Sequence, residues 1–99
     1  MTTLLITLTL DPAQHDNVIE MLRDNIDTVI RTLDGWIKTD LITTADRGRI
    51  VIYSEWRDAA AVAAMQSDPR MAAYSPKLAA VATIEAIMGD VVYGAKAGS

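Results

Sequence analysis

Residues 50–71, IVIYSEWRDAAAVAAMQSDPRM, constrain this chain more than any other stretch. The first seven are rich in β-branched and aromatic side chains and predict a strand. Asp58 then stands where it can cap an alanine-rich helix. That helix must stop near Asp68-Pro69, because the residue before a proline is driven out of the α region. A strand therefore hands over directly to a helix, with Tyr53, Trp56 and Arg57 at the handover. Such side chains suit the wall of a pocket for a flat organic molecule.

The flanking segments carry equally local signals. Leu4, Ile6, Leu8 and Leu10 alternate with Thr3, Leu5, Thr7 and Thr9, the period of a strand. Asp11 as cap, Pro12 at the first helical position and Gln14 at the third predict one helix over 12–33, ended by Asp34-Gly35. At 100° per residue, Val18, Ile19, Leu22, Ile26, Val29, Ile30 and Leu33 share an arc that leaves Arg23, Asp24, Asp27 and Arg31 outside. Residues 36–44 alternate again, 45–48 read as a turn and 49–56 return, which makes an antiparallel hairpin. Asp68-Pro69 and Ser75-Pro76 each offer a cap followed by proline, and predict two short helices over 69–74 and 76–82. A last strand is expected over 83–93, with a bulge or bend at Gly89-Asp90. Residues 1–94 then form a single domain, and 95–99 a loose tail.

The resulting order, β-α-β-β-α-β, predicts an α+β domain whose antiparallel four-stranded sheet carries its helices on one face. Ile50, Val51, Ile52 and Tyr53 put apolar groups on both faces of the third strand, and Leu5, Leu41 and Val91 or Val92 do so elsewhere. The uncovered face is expected to meet a second copy of the chain as a homodimer. Ninety-nine residues allow one core, and 51% apolar with 22% charged residues is the balance of a folded domain. There is no cysteine, hence no disulfide, thiolate metal site or thiol nucleophile. A net charge of −4 with scattered basic residues argues against nucleic acid as a partner. With no span-length apolar run and no signal-peptide pattern, the expectation is a cytoplasmic protein without membrane contact.

The strand ending in Tyr53-x-x-Trp56, the helix after it and Ser67-Asp68-Pro69 together resemble the antibiotic biosynthesis monooxygenase family, and the likeness extends over nearly the whole chain. The resemblance implies ferredoxin-like subunits paired as a dimeric α/β barrel. It implies an activity among cofactor-free oxygenases of polyketide anthrones, haem-degrading enzymes, and isomerases of small carbonyl compounds; some members have no known activity. Quinone-forming members carry asparagine four residues before the tryptophan, where this chain has Ile52. Haem-degrading members carry a histidine on the second helix and an asparagine in the first strand; both are missing here, which sets haem aside.

Trp56 is the leading candidate for a catalytic role, since an indole can stack on a planar substrate and its N–H can hold an oxygen. The competing reading is that it packs under the second helix as core. His15, the only histidine, falls on the apolar arc near the helix start, where it is either the one neutral-pH base or a buried ring satisfied locally. Tyr53 is a third catalytic candidate. Ile52, Leu22, Tyr74 and Arg70 are expected to line the substrate site, although tyrosines near a strand or helix end, as Tyr53 and Tyr74 are, are more often half-buried packing. Asn17 and Asn25 lie away from the centre of the arc and have weaker claims. One histidine and solvated carboxylates such as Asp24 and Asp27 give no metal set, and no phosphate-cradling glycine motif occurs. The function expected is a cofactor-independent monooxygenase using O2 on a small aromatic or polyketide-like substrate. An isomerase or cyclase using the same pocket, or a dimeric small-molecule-binding protein without chemistry, are the alternatives.

Overall fold

The computed structural model describes residues 1–98. Four antiparallel strands, β1 (Thr2–Thr9), β2 (Trp36–Thr43), β3 (Arg49–Trp56) and β4 (Thr83–Asp90), form one sheet in the order β2-β3-β1-β4. Three helices, α1 (His15–Thr28), α2 (Ala59–Gln66) and α3 (Pro69–Ala79), complete a ferredoxin-like α+β fold. Register explains how the sheet divides its residues between two faces. Leu4, Ile6 and Leu8 of β1 sit opposite Ser54, Ile52 and Ile50 of β3 and opposite Met88, Ala86 and Ile84 of β4. Paired residues share a face, and this one faces the helices. Leu8, Ile50, Val18 of α1, Val62 of α2 and Trp56 are almost wholly buried. The opposite face presents Leu5, Val51 and Tyr53 together with Ile42 and Ile87, which are 52% and 71% exposed.

The strand-to-helix handover forms where the sequence places it. The Asp58 side chain, with extended backbone, accepts the Ala61 N–H at 2.9 Å and so caps α2. Asp68 caps α3 in the same way, through the Arg70 N–H at 2.8 Å.

Four local expectations are corrected. The first helix is not continuous over 12–33: residues Pro12–Gln14 form a 3-10 turn, α1 ends at Thr28, and Ile30–Thr32 form a second 3-10 turn. The run Thr28-Val29-Ile30 is β-branched, and the Thr28 and Thr32 hydroxyls donate to the carbonyls of Asp24 and Val29, both at 2.7 Å. Both features weaken a helix at that point. The segment after Asp68 is one helix with Pro76 inside it, not two. Continuity keeps Tyr74 and Leu78 one turn apart on the face that packs on the sheet, where Leu78 is 6% exposed. Strand β4 stops at Asp90 because its register with β1 runs out at Thr2, whose hydroxyl donates to the Asp90 carboxylate at 3.0 Å. Gly89 pairs in register with Thr3 and makes no bulge; the irregularity of the sheet lies instead between Trp36 and Lys38 of β2. The predicted tail 95–99 ends on a residue outside the described ones.

Candidate functional site

Between the helical layer and the sheet lies a cavity of about 140 Å³. Its floor is the helix-facing side of the sheet, with Leu4, Ile6, Thr39, Ile52, Ser54, Trp56 and Ile84. Leu22, Asn25 and Ile26 of α1 and Met71, Tyr74 and Leu78 of α3 line the helical side, with Met65 of α2 between. The sheet alternation produces this floor: Ile52, Ser54 and Trp56 are separated by even numbers on β3 and emerge together.

The polar groups of the floor are engaged with one another. Trp56 Nε1 donates to Ser54 Oγ at 3.0 Å, and Ser54 Oγ donates in turn to the Leu4 carbonyl at 3.2 Å. Trp36 Nε1 donates to Thr39 Oγ at 2.8 Å. Trp56, 1% exposed, also packs among Leu4, Ile30, Ala61, Val62 and Met65. It is therefore a wall of the cavity and a core residue at once. The helical side differs. The Tyr74 hydroxyl is buried without a hydrogen-bond partner, and Asn25, 7% exposed, donates its amide N–H only to the Met71 sulfur at 3.4 Å, a weak acceptor. Burial, assisted by the Asp24 charge, pushes the Tyr74 phenol up to about 12, so at neutral pH it is a hydrogen-bond donor and not a phenolate. Among the described residues, no carboxylate, imidazole, ammonium or guanidinium lines the cavity.

Of the residues singled out in the sequence, Trp56, Ile52, Leu22 and Tyr74 meet in this cavity, and His15, Tyr53 and Arg70 lie outside it. His15 is buried at the far end of β2, with Nε2 2.6 Å from Thr43 Oγ and Nδ1 3.1 Å from Asp16 Oδ1. That hydrogen bond and the adjacent Arg47 guanidinium hold the Asp16 carboxyl below its ordinary range. Tyr53 faces the other side of the sheet, where its hydroxyl donates to Glu55 at 3.0 Å and Lys38 stands 5.6 Å from its ring. Arg70 points outward, paired with Asp68 at 3.0 Å and donating to Thr32 Oγ at 3.1 Å. Among the described residues no three His, Cys, Asp or Glu side chains are grouped as metal ligands, and no helix is long and apolar enough to cross a membrane.

Asn25 is the lining residue that sequence reasoning undervalued. The buried stripe of α1 runs through Val18, Leu22 and Asn25, while Ile19 and Ile26 are only partly buried. The available signal was a polar side chain seven residues after Val18 and three after Leu22, hence on their side of the helix.

The model of one family, antibiotic biosynthesis monooxygenase, matches residues 1–77. The chain belongs to the antibiotic biosynthesis monooxygenase family. The matched part contains every lining residue of the cavity except Leu78 and Ile84. Solved structures with the fold of this family member include the monooxygenase ActVA-Orf6 of Streptomyces coelicolor in complex with nanaomycin D. It is 21% identical over 99% of this chain and 92% of its own, with a TM-score of 0.87. SnoaB of Streptomyces nogalater, a cofactor-independent oxygenase, is 18% identical over 94% of each chain, with a TM-score of 0.78. Rv0793 of Mycobacterium tuberculosis is 20% identical over 96% of this chain and 98% of its own, with a TM-score of 0.82. At these identities the likeness is one of fold. No curated protein matches the chain.

Proposed function

We propose that this member of the family is a cofactor-independent monooxygenase that oxidises a small phenolic or polyketide-like aromatic compound in the cavity between sheet and helices. The observation that carries the reading is an uncharged apolar chamber walled by Trp56 and Ile52, with the unpartnered Tyr74 hydroxyl among the side chains of its helical side. The fold neighbours described as a cofactor-independent oxygenase and as a monooxygenase holding nanaomycin D support the reaction class.

In this reading the substrate supplies all the electrons. A CH2 group conjugated with a carbonyl across a ring loses a proton to give an enolate, which passes one electron to O2. The radical pair joins as a carbon-bound peroxide. O–O cleavage with loss of the second C–H proton then leaves C=O and water. The chain contributes a dry chamber, orientation by Trp56 and a neutral donor in Tyr74. His15 and Tyr53 take no part, being outside the chamber. With no base among the lining side chains, the substrate gives its first proton to bulk water before it enters the chamber, and the rate rises with pH through the substrate's own ionisation.

The test is oxygen uptake with 1,8-dihydroxyanthrone and with 1-naphthol by protein stripped with chelator. Expected is one O2 consumed per quinone formed, slowly on the anthrone because Ile52 offers its oxygen no hydrogen bond. A donor at such a place is worth about 10²- to 10³-fold in rate, so Ile52→Asn should recover part of that. Turnover without oxygen uptake would move the assignment to an isomerase or cyclase, and binding without turnover to a binding protein.

The same reading includes a homodimer closed through the open face of the sheet. Ile42, Ile87, Val91, Val92 and Tyr93 are all more than half exposed, more apolar surface than a monomer of this size usually leaves uncovered. Light scattering after size exclusion should give twice the chain mass at micromolar concentration, and a stable monomer would remove this part of the proposal.

A further inference from the structure

Arg70 stands outside the chamber but on the helix that walls it. Its Nε and Nη2 lie 3.1 and 3.0 Å from the two carboxylate oxygens of Asp68, which fix the guanidinium at the start of α3. The same Nη2 donates to Thr32 Oγ at 3.1 Å, and the Thr32 hydroxyl donates to the Val29 carbonyl at 2.7 Å. A hydrogen-bonded tie therefore crosses from α3 to the 3-10 turn that follows α1, 38 positions earlier in the chain. The helix it ties down falls into two halves. Pro76 has no N–H for the Ala72 carbonyl and its ring crowds that carbonyl, so the helix is weakest just ahead of it. Behind Pro76, Leu78 is buried among Leu8, Val18 and Leu22. Ahead of it, no residue of 69–75 is buried: Met71 and Tyr74 are partly so, and the others are exposed. Yet Met71, Tyr74 and Ser75 all belong to the lining of the chamber. We propose that residues 69–75 are a lid over the chamber, hinged at Ser67-Asp68 and at Ser75-Pro76 and latched shut by the hydrogen bond from Arg70 to Thr32.

Three observations carry the lid. Its two ends are joints in the backbone: Ser67 closes α2 and Asp68 opens α3 with extended backbone at ψ 130°, while Pro76 interrupts the hydrogen bonding at the other end. Its polar hold on the body is slight apart from the latch. The Asn25 amide donates to the Met71 sulfur at 3.4 Å, a weak acceptor, and the buried Tyr74 hydroxyl has no partner at all. Water offers both groups a full partner once the segment swings away, so opening regains hydrogen bonds that the closed state forgoes. Finally, the chamber has little other outlet. Ser75 of the lid and Ile84 of β4 are the exposed members of its lining, and the rest are buried or partly buried. Arg70 is thus a positioning residue that governs access without touching what enters. The lid is read from the chain alone; only its role in admitting ligand rests on the chamber being the site proposed above.

The experiment is amide hydrogen exchange, resolved by residue, on the full chain and on Arg70→Ala, Thr32→Val and Pro76→Ala. In the natural chain the amides of residues 70–75 should exchange together, at least about tenfold faster than those of Val18–Leu22 in α1. Arg70→Ala and Thr32→Val should each quicken them about three- to tenfold, the loss of one hydrogen bond, and the double variant no more than either alone. Pro76→Ala returns the missing N–H and should slow them by about tenfold or more. Stopped-flow binding of 1-naphthol supplies the second readout. Arg70→Ala and Thr32→Val should raise the association and dissociation rates by the same factor and leave Kd unchanged, because the latch is closed in both the free and the bound chain. Exchange of residues 70–75 no faster than that of α1, rates indifferent to both latch variants, or no slowing by Pro76→Ala would each overturn the lid. A changed Kd with an unchanged association rate would make Arg70 a binding residue and overturn the latch. The expected exchange pattern with no binding of 1-naphthol at millimolar concentration would leave the lid standing and sink the chamber as the substrate site.

Discussion

Trp56→Ala is expected to lower the free energy of unfolding by about 3–5 kcal/mol, the range for deleting a large buried aromatic side chain. The indole is 1% exposed and holds together elements distant in sequence: Leu4 of β1, Ile30 after α1, and Ala61, Val62 and Met65 of α2. Its removal joins a new void to the existing cavity and takes from Ser54 Oγ the N–H that it accepts at 3.0 Å. A domain of this length is typically stable by about 5–15 kcal/mol in total, so the variant should sit close to its unfolding threshold. Trp56→Phe keeps most of the packing and loses the hydrogen bond and one ring, for a smaller cost of about 1–2 kcal/mol. Urea unfolding followed by far-ultraviolet circular dichroism, at one protein concentration for all variants, measures both. A change below 1 kcal/mol for Trp56→Ala would show that the indole is a replaceable lining group and not part of the core.

Gly35→Ala should cost about 2–5 kcal/mol for two separable reasons. Gly35 has φ +85°, a conformation that penalises an L side chain by about 1–2 kcal/mol. An added Cβ would also stand 2.5 Å from the Ala61 Cβ, and overpacking of that kind costs about 1–3 kcal/mol. The turn has no freedom to retreat. Its carbonyl accepts the Arg57 N–H at 2.7 Å, and the Arg57 guanidinium grips the neighbouring Asp34 carboxylate at 3.0 and 3.2 Å. Ala61 in turn sits in the first turn of α2, under the Asp58 cap. Gly94→Ala, with nothing within 4 Å of its added Cβ and no positive φ, is the control and should change stability by less than about 0.5 kcal/mol. Adding Ala61→Gly to Gly35→Ala removes the clash and leaves the backbone strain, so the double variant should regain part of the loss. If Gly35→Ala unfolds at the same urea concentration as the natural chain, the close approach of the turn to α2 is not a constraint on the fold.

The elements themselves were legible because each rests on interactions between residues near in sequence. Alternation in β1, the Asp58 cap before an alanine run, the Asp11-Pro12 start and the hairpin turn before Arg49 are all local chemistry. With four strands and their connections read this way, the antiparallel α+β fold followed, since a chain of this length has few other means of burying one face of such a sheet. The errors came where local rules compete. The Thr28-Val29-Ile30 run outweighed an apolar arc that continues past it, and a proline that usually opens a helix was absorbed inside α3.

The sequence by itself determined the order of elements and the two faces of each strand, and left Trp56 open between pocket wall and core. Only the tertiary structure decided which side chains share a cavity. Ile52 and Trp56 share the floor by strand period, but their meeting Tyr74 and Asn25 depends on how α1 and α3 are rotated against the sheet. That rotation turned the buried stripe of α1 toward Asn25, and drew His15 to Thr43 at the other end of the sheet. The physical reason is one of range. Strand period and helix caps are set within a few residues, whereas the docking angle of a helix is set by packing against residues tens of positions away, and no local pattern encodes it.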